Sequence, residues 1–278
     1  MFTTIIHTDQ IDASTREQIE QLFNAPLEAR SGYHRVCHSE SVARATLLAL
    51  SEQLTIDINT LPQGFEPSKV GLLVSDMDST LINIECIDEI ADYLNVKPQV
   101  SAVTEAAMRG EIDFVTSLTQ RVALLEGVDE KALDLVYSDR LQLNPGAEQL
   151  ISELKSNAIK FCLVSGGFTF FTERLKQRLS LDYAHSNQLG IEQGKLTGKV
   201  VGDIVGAQAK ADLLIAHCQE LNINAKQTIA VGDGANDLLM MKEAGLSVAY
   251  HAKPAVQAQA ATAINYGGLD SIVHMLSA

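Results

Sequence analysis

Closely spaced cysteines are missing from this chain. Cys37, Cys86, Cys162 and Cys218 are scattered and form no CxxC, so they read as reduced, mostly buried thiols rather than as a redox pair or a zinc knuckle. Only His34, Cys37 and His38 gather metal-type side chains, and three without a fourth nearby make a weak signal. Positive charge is scarce as well, with 21 Lys and Arg against 35 Asp and Glu and a net charge of −14. Such a surface repels nucleic acid and anionic membrane, and no basic cluster offsets it. An anionic small substrate therefore needs local cations, either a metal or a few aimed Lys and Arg. The chain opens with no basic-then-apolar leader, and no apolar run reaches the roughly 18 residues of a membrane span. A soluble cytoplasmic protein is the expectation. Internal repeats and low-complexity stretches are absent too.

What is present is enough apolar material for a large core: 46% of 278 residues are hydrophobic. The chain is organised around Val70–Thr80, VGLLVSDMDST. A short apolar run without polar alternation fits a strand buried on both faces of a parallel sheet. Asp76 and Asp78 follow at its carboxyl end, where open α/β sheets place their ligands. Extended backbone aims both side chains the same way, and two like charges so close call for a cation or a proton. Asp76 is thus a candidate nucleophile and metal ligand, and Asp78 a candidate general acid/base. The plain alternative is an Asx turn capping the next helix.

Residues 1–67 form an appended segment ahead of this strand. Phe2–Ile6 reads as a short strand, and Thr15–Phe23 and Ser39–Leu54 as helices; four clear strands are not legible there. The stretch from Leu61 to Pro67, with two prolines and a glycine, reads as a linker. Residues 68–83 and 142–278 read as an α/β core with a doubly wound parallel sheet, because strands and helices alternate. Residues 84–141 carry four consecutive helical patterns with no strand between them, which reads as a helical cap inserted beside the site. Tyr183–Ile191 and Lys195–Val201 read as a hairpin.

Two further buried strands end in polar, glycine-containing turns. Ile159–Val164 runs into Ser165-Gly166-Gly167, a candidate phosphate cradle ahead of a helix, or a simple turn with an N-cap. Thr228–Val231 runs into Gly232-Asp233-Gly234-Ala235-Asn236-Asp237. Its oxygen donors suit Mg²⁺, although the same residues also make flexible turns.

Taken together, DMDST at Asp76–Thr80, SGG at Ser165–Gly167, Lys210 and GDGAND at Gly232–Asp237 resemble the four motifs of the haloacid-dehalogenase-like phosphatase superfamily, in order and spacing. Glu85-Cys86-Ile87-Asp88-Glu89 and Ser117–Val122 look like the phosphoserine phosphatase branch. The resemblance covers residues 68 to the end. It implies Mg²⁺-dependent hydrolysis of O-phosphoserine through an aspartyl phosphate on Asp76, the last step of serine biosynthesis. Asp78 is then the acid and base, and Mg²⁺ is held by Asp76, the Asp78 carbonyl and Asp233. Ser165 and Gly166 hold the phosphoryl group, Lys210 stabilises its charge, Asn236 contacts it, and Asp237 orients Lys210 or the metal. Glu85 pairs with the substrate ammonium, Arg121 with its carboxylate, and Met108 and Phe114 screen the site.

These roles agree with what phosphoryl transfer needs, which is positioning and charge neutralisation. Lys195 and Lys199 compete with Lys210 for its role. Lys210 is preferred because it opens the helix leading to the last motif strand. Some relatives carry an amino-acid-sensing βαββαβ domain, a pattern not legible in residues 1–67, where a dimerising module is an equal option. The competing functions are a phosphotransferase on the same scaffold, a phosphatase of another small phosphomonoester, and a non-catalytic phosphate binder. The intact Asp76/Asp78 pair argues against the last.

Overall fold

The computed structural model describes residues 1–278. The first sixty fold as β1 (Phe2–Ile6), α1 (Ala13–Phe23), β2 (Leu27–Ala29), β3 (His34–His38), α2 (Arg44–Leu54) and β4 (Ile58–Thr60). Their sheet runs in the order β2-β3-β1-β4 and is antiparallel throughout. This βαββαβ unit contains the four strands that are not legible in the sequence. Two of the strands are only three residues long, LEA and INT, too short for any alternation to register. In β3 the inward positions are His34, Val36 and His38, so two polar rings stand where apolar residues would signal a strand. Hydrogen bonds explain their burial: His34 Nδ1 pairs with the Thr8 carbonyl, and His38 with the Glu40 carbonyl and the Thr4 hydroxyl. The weak metal signal at His34, Cys37 and His38 is therefore accounted for by packing. Helix α2 begins at Arg44 rather than at Ser39. Ile6, Ile19, Phe23, Val36, Leu47 and Ile58 close a small core of their own.

The larger unit follows as β5 (Leu72–Ser75), α3 (Cys86–Tyr93), α4 (Lys97–Met108), α5 (Phe114–Ala123), α6 (Lys131–Leu135), α7 (Ala147–Ser156), β6 (Lys160–Phe168), α8 (Thr169–Leu179), β7 (Tyr183–Glu192), β8 (Lys195–Val201), α9 (Ala207–Glu220), β9 (Thr228–Gly232), α10 (Leu238–Glu243), β10 (Leu246–Tyr250), α11 (Pro254–Gln257), β11 (Thr262–Ile264) and α12 (Ser271–Leu276). Its sheet has seven strands in the order β11-β10-β9-β5-β6-β7-β8, with only the β7–β8 pair antiparallel. Strand β5 lies between β9 and β6, and Leu72, Leu73 and Val74 have no exposed surface. Truncating Leu72 or Leu73 to alanine should cost about 2–5 kcal/mol. Because β5, β6 and β9 are parallel neighbours, the residues that follow all three emerge on one edge.

Helices α3–α6 lie in the excursion between β5 and α7. Their apolar stripes, including Ile87, Ile90, Val100, Leu118, Val122 and Leu133, join the main core. Asp113 caps α5 by accepting from the Thr116 N–H at 2.7 Å. The two connections into this excursion are pinned together. Ile82 pairs with Leu143, and the Asn144 side-chain amide donates to the carbonyls of Thr80 (2.8 Å) and Ile82 (3.0 Å).

The small sheet docks edge-on against β11. Asn59 exchanges two 2.8 Å hydrogen bonds with the backbone of Ala263. The Asp57 carboxylate accepts from the N–H groups of Asn265, Tyr266 and Gly267.

Candidate active site

Asp76 is the first residue after β5. Its N–H still donates to the Val231 carbonyl at 2.9 Å, so the sheet fixes its backbone. Beyond it, Ser79 adopts a left-handed φ of 56°, which turns the chain sharply and lets its hydroxyl donate to Glu85 Oε1 at 2.7 Å. Asp78 reaches the other way and accepts from the Cys86 N–H at 3.3 Å, the start of α3. Thr80 donates to Asp233 Oδ1 at 3.2 Å and ties the first loop to the loop after β9.

Lys210 enters from the first turn of α9. Its Nζ donates to Asp76 Oδ1 at 2.6 Å and to Asp237 Oδ1 at 2.7 Å, and its side chain has no exposed surface. Asp237 also accepts from the Gly234 N–H at 3.1 Å, so the 232–237 turn is wound around its carboxylate. A Cβ on Gly232 would lie 2.3 Å from Asp237 Oδ2, which is why that position carries no side chain.

Carboxylate oxygens of Asp76, Asp233 and Asp237 lie within 4.8 Å of one another. The crowd is felt in their protonation. Burial, reinforced by the Asp237 charge, pushes Asp76 well above the usual carboxylate range while Lys210 pulls it back. Burial and then Asp237 raise Asp233 to about 6. Burial and then Glu85 raise Asp78 to about 7. Burial works against the Lys210 charge, but Asp237 and Asp76 together outweigh it and hold the ammonium ionised. An all-oxygen donor set at this density fits a hard divalent cation, which would relieve the mutual repulsion. The Asp78 carboxylate, bonded to Cys86, stands apart from the three clustered carboxylates.

The Ser165–Gly167 segment is a bulge inside β6 rather than a turn ahead of α8. The ladder to β7 skips from Val164 to Phe168 on one side and from His185 to Asn187 on the other. Ser165 is buried, and its Oγ accepts from the Gly167 N–H at 2.8 Å. Gly167 has no room for a side chain, since a Cβ there would sit 2.9 Å from Asp78 Oδ2. Sequence reasoning missed the residue that holds this bulge. Asn187 donates to the Gly166 carbonyl and accepts from the Val205 N–H, both at 2.8 Å, and is itself buried.

The helical excursion supplies the remaining side chains. Phe114 at the start of α5 lies over the bulge; a Cβ on Gly166 would meet its Cζ at 3.0 Å. Arg121, on the same helix, is partly buried and donates from Nε only to the Ser117 carbonyl at 3.4 Å. Burial lowers its pKa, while Asp88, Glu85 and Asp78 act the other way, so the guanidinium faces those carboxylates without pairing with them. Glu85 is exposed to water beside Ser79. Surrounding protein raises its pKa, opposed by the Ser79 hydroxyl. Met108 is exposed at the end of α4, and Lys253 approaches its Sδ to 3.8 Å. Lys253, whose charge also reaches Glu85, is a cation that sequence reasoning missed; it follows β10 on the edge already implicated by its neighbour β9. Asn236 is half-buried beside Gly234.

An ionised lysine clamps one strand-end carboxylate, a second carboxylate carries a near-neutral pKa beside it, and a buried hydroxyl and a glycine bulge stand opposite. Together they define a phosphoryl-handling α/β hydrolase site. The haloacid dehalogenase-like hydrolase profile matches residues 70–245, and the chain belongs to that family. A phosphoserine phosphatase of Polaromonas sp. is 53% identical over 224 residues, covering 79% of this chain and 95% of that one. The unliganded structure of a probable phosphoserine phosphatase from Vibrio cholerae superposes with a TM-score of 0.85 at 40% identity, covering 99% of this chain and 86% of that one. A HAD family hydrolase from Salmonella enterica serovar Typhi superposes with a TM-score of 0.90 at 34% identity, covering 99% and 98%.

Proposed function

We propose that this protein is a Mg²⁺-dependent phosphoserine phosphatase, hydrolysing O-phosphoserine to serine and inorganic phosphate. The observation that carries the substrate choice is the pairing of opposite charges at the mouth of the cleft. Arg121 is a partly buried guanidinium with no ion pair of its own, and Glu85 is a carboxylate held by Ser79 on the wall it faces. An amino-acid phosphate ester presents one carboxylate and one ammonium, and Arg matches a carboxylate through two parallel N–H donors. The relatives matched over most of their length bear the same activity in their names.

In this reading Asp76 attacks phosphorus in line as the ester bond breaks, and the Asp78 carboxyl gives its proton to the departing serine oxygen. Asp78 then takes a proton from water as that water attacks phosphorus, and the Asp76–phosphorus bond breaks to free phosphate. Lys210 pulls Asp76 toward its ionised form for the first step, against burial and the Asp237 charge. Ser165 and the bulge N–H groups hold the phosphoryl oxygens, with Asn236 beside them, and Asp237 aims Lys210. Mg²⁺ held by Asp76, Asp233 and the Asp78 carbonyl supplies neutralisation of the phosphoryl charge. Residues 84–141 act as the cap whose closure brings Arg121 and Phe114 onto the substrate, and residues 1–67 are an appended unit.

The test is kcat/KM for phosphoserine, phosphoethanolamine and a panel of sugar and nucleotide monophosphates, with Mg²⁺ present and with added alcohols as acceptors. Phosphoserine should lead by at least a hundredfold, with free phosphate as the product. A better substrate without an amino-acid head group would overturn the assignment, and transfer to the added alcohols in place of phosphate release would make it a phosphotransferase.

A further inference from the structure

Away from the carboxylate cluster, β6, β7 and α9 bring together Cys162, His185 and His217. Their ligand atoms lie within 4.8 Å of one another. The three are far apart in sequence, so no spacing motif announces them. We infer that they form a second metal site, for one ion of the borderline-soft, Zn²⁺ type. Sulfur and imidazole donors favour such ions and give Mg²⁺ little, so the two clusters sort metals by donor chemistry.

The rings are already oriented for the task. His217 Nδ1 stands 2.9 Å from Glu220 Oε2, and a carboxylate only accepts, so Nδ1 carries the hydrogen. Nε2 of neutral His217 is then a bare lone pair. His185 Nε2 points at it from 2.8 Å and supplies the N–H between them. A carboxylate behind a histidine is the usual support of a metal ligand, fixing tautomer and ring and raising basicity. That support is itself braced. The Tyr183 hydroxyl donates to Glu220 Oε1 at 3.1 Å, and its ring packs on His217 at 3.9 Å between centroids. His185 is partly exposed, which leaves a path for an ion and room for water as fourth ligand.

Binding replaces the N–H···N bond by two metal–nitrogen bonds. His185 moves its hydrogen to Nδ1 through solvent, and the Cys162 thiol releases one proton to solvent. Two nitrogens on a tetrahedral ion stand about 3.3 Å apart at metal–nitrogen distances of about 2.0–2.1 Å. The rings must therefore separate by roughly half an ångström. Burial holds the Cys162 thiol well above its ordinary pKa, so it stays protonated until a cation arrives. The ion would tie β6, which carries Ser165, to α9, which carries Lys210 two turns before His217. It would thus stiffen the mounting of both.

The experiment is a Co²⁺ titration of the full-length protein in excess Mg²⁺, which occupies the carboxylate cluster. The expected result is a thiolate-to-Co²⁺ charge-transfer band in the near ultraviolet, with tetrahedral visible bands, saturating at about one equivalent and bleached by Zn²⁺. Cys162→Ser should lose the charge-transfer band, and Cys37→Ser should keep it. Glu220→Gln should weaken binding by about 10–100-fold, and loss of a direct ligand in His185→Gln by at least as much. Affinity should rise about tenfold per pH unit, the signature of one released proton. His185→Gln changes a partly exposed residue and decides the matter if Cys162→Ser does not fold. No charge-transfer band in the wild type, a band that survives Cys162→Ser, or affinity unchanged in His185→Gln would overturn the proposal.

Discussion

Replacing Lys210 by methionine keeps an apolar stem and removes the ammonium between Asp76 and Asp237. At 2.6 and 2.7 Å, each contact carries about 6 kcal/mol of Coulomb attraction at an effective dielectric near 20, before desolvation is subtracted. Breaking a buried ion pair costs about 3–5 kcal/mol net, because the partner is left charged and dry. Here two partners are left, and Asp237 has no exposed side-chain surface. Lys210→Met should therefore lose about 3–5 kcal/mol of unfolding free energy at pH 8 in the absence of metal. The deficit should shrink as the pH falls. Asp76 already sits above its unfolded-state pKa, and losing the lysine raises it further. A carboxyl raised in the folded state destabilises at pH values above its unfolded pKa, and protonation on acidification removes that cost. The assay is urea unfolding of both proteins at pH 8 and pH 5, with kcat measured alongside. Turnover should fall by about 10²–10³-fold, as for other losses of one preorganised charge. A variant as stable as wild type at pH 8, or a deficit that widens at pH 5, would refute the reasoning.

Arg121→Ala should reduce kcat/KM for phosphoserine by about 2–5 kcal/mol of transition-state stabilisation and leave the poor substrate phosphoethanolamine almost unchanged; equal losses on both would remove Arg121 from carboxylate recognition. Asp233→Asn should shift the Mg²⁺ activation curve to higher concentration, and excess chelator should abolish wild-type turnover until Mg²⁺ is restored; activity indifferent to chelator would exclude the metal assignment. His7 meets His274 and Asn59 where the small sheet docks, and burial followed by the His274 charge lowers it to about 3. It is neutral when folded but protonates near 6.5 when unfolded, so stability should decline as pH falls from about 6.5 toward 3. The ring keeps some contact with water, which limits the loss to about 2–3 kcal/mol. His7→Gln should flatten that limb of a Tm-versus-pH profile, and an unchanged slope would assign acid sensitivity elsewhere.

The parallel sheet was legible because β5, β6 and β9 are apolar runs ending in polar turns, and a parallel sheet brings such ends to one edge. Lys210 was distinguishable from Lys195 and Lys199 by its place at the start of a helix, and its Nζ lies 2.6 Å from Asp76. The N-terminal sheet was illegible because two strands are three residues long and a third buries histidines on its inner face. A hydrogen-bonded histidine is invisible to a hydrophobicity pattern. The Ser165 bulge read as a turn because a bulge and a turn use the same small residues. Asn187, Lys253 and the Cys162–His185–His217 group were out of reach for another reason. Each acts through neighbours that only the folded chain brings close.

The central claim is a covalent phosphoryl group on Asp76. The protein mixed with ³²P-labelled phosphoserine and Mg²⁺, quenched in acid within milliseconds and digested, should yield label on the peptide containing Asp76. The linkage should be labile to hydroxylamine, as expected of an acyl phosphate, and Asp76→Asn should give neither label nor turnover while remaining folded. Label on another residue, or an Asp76→Asn variant that still releases phosphate at the wild-type rate, would contradict it.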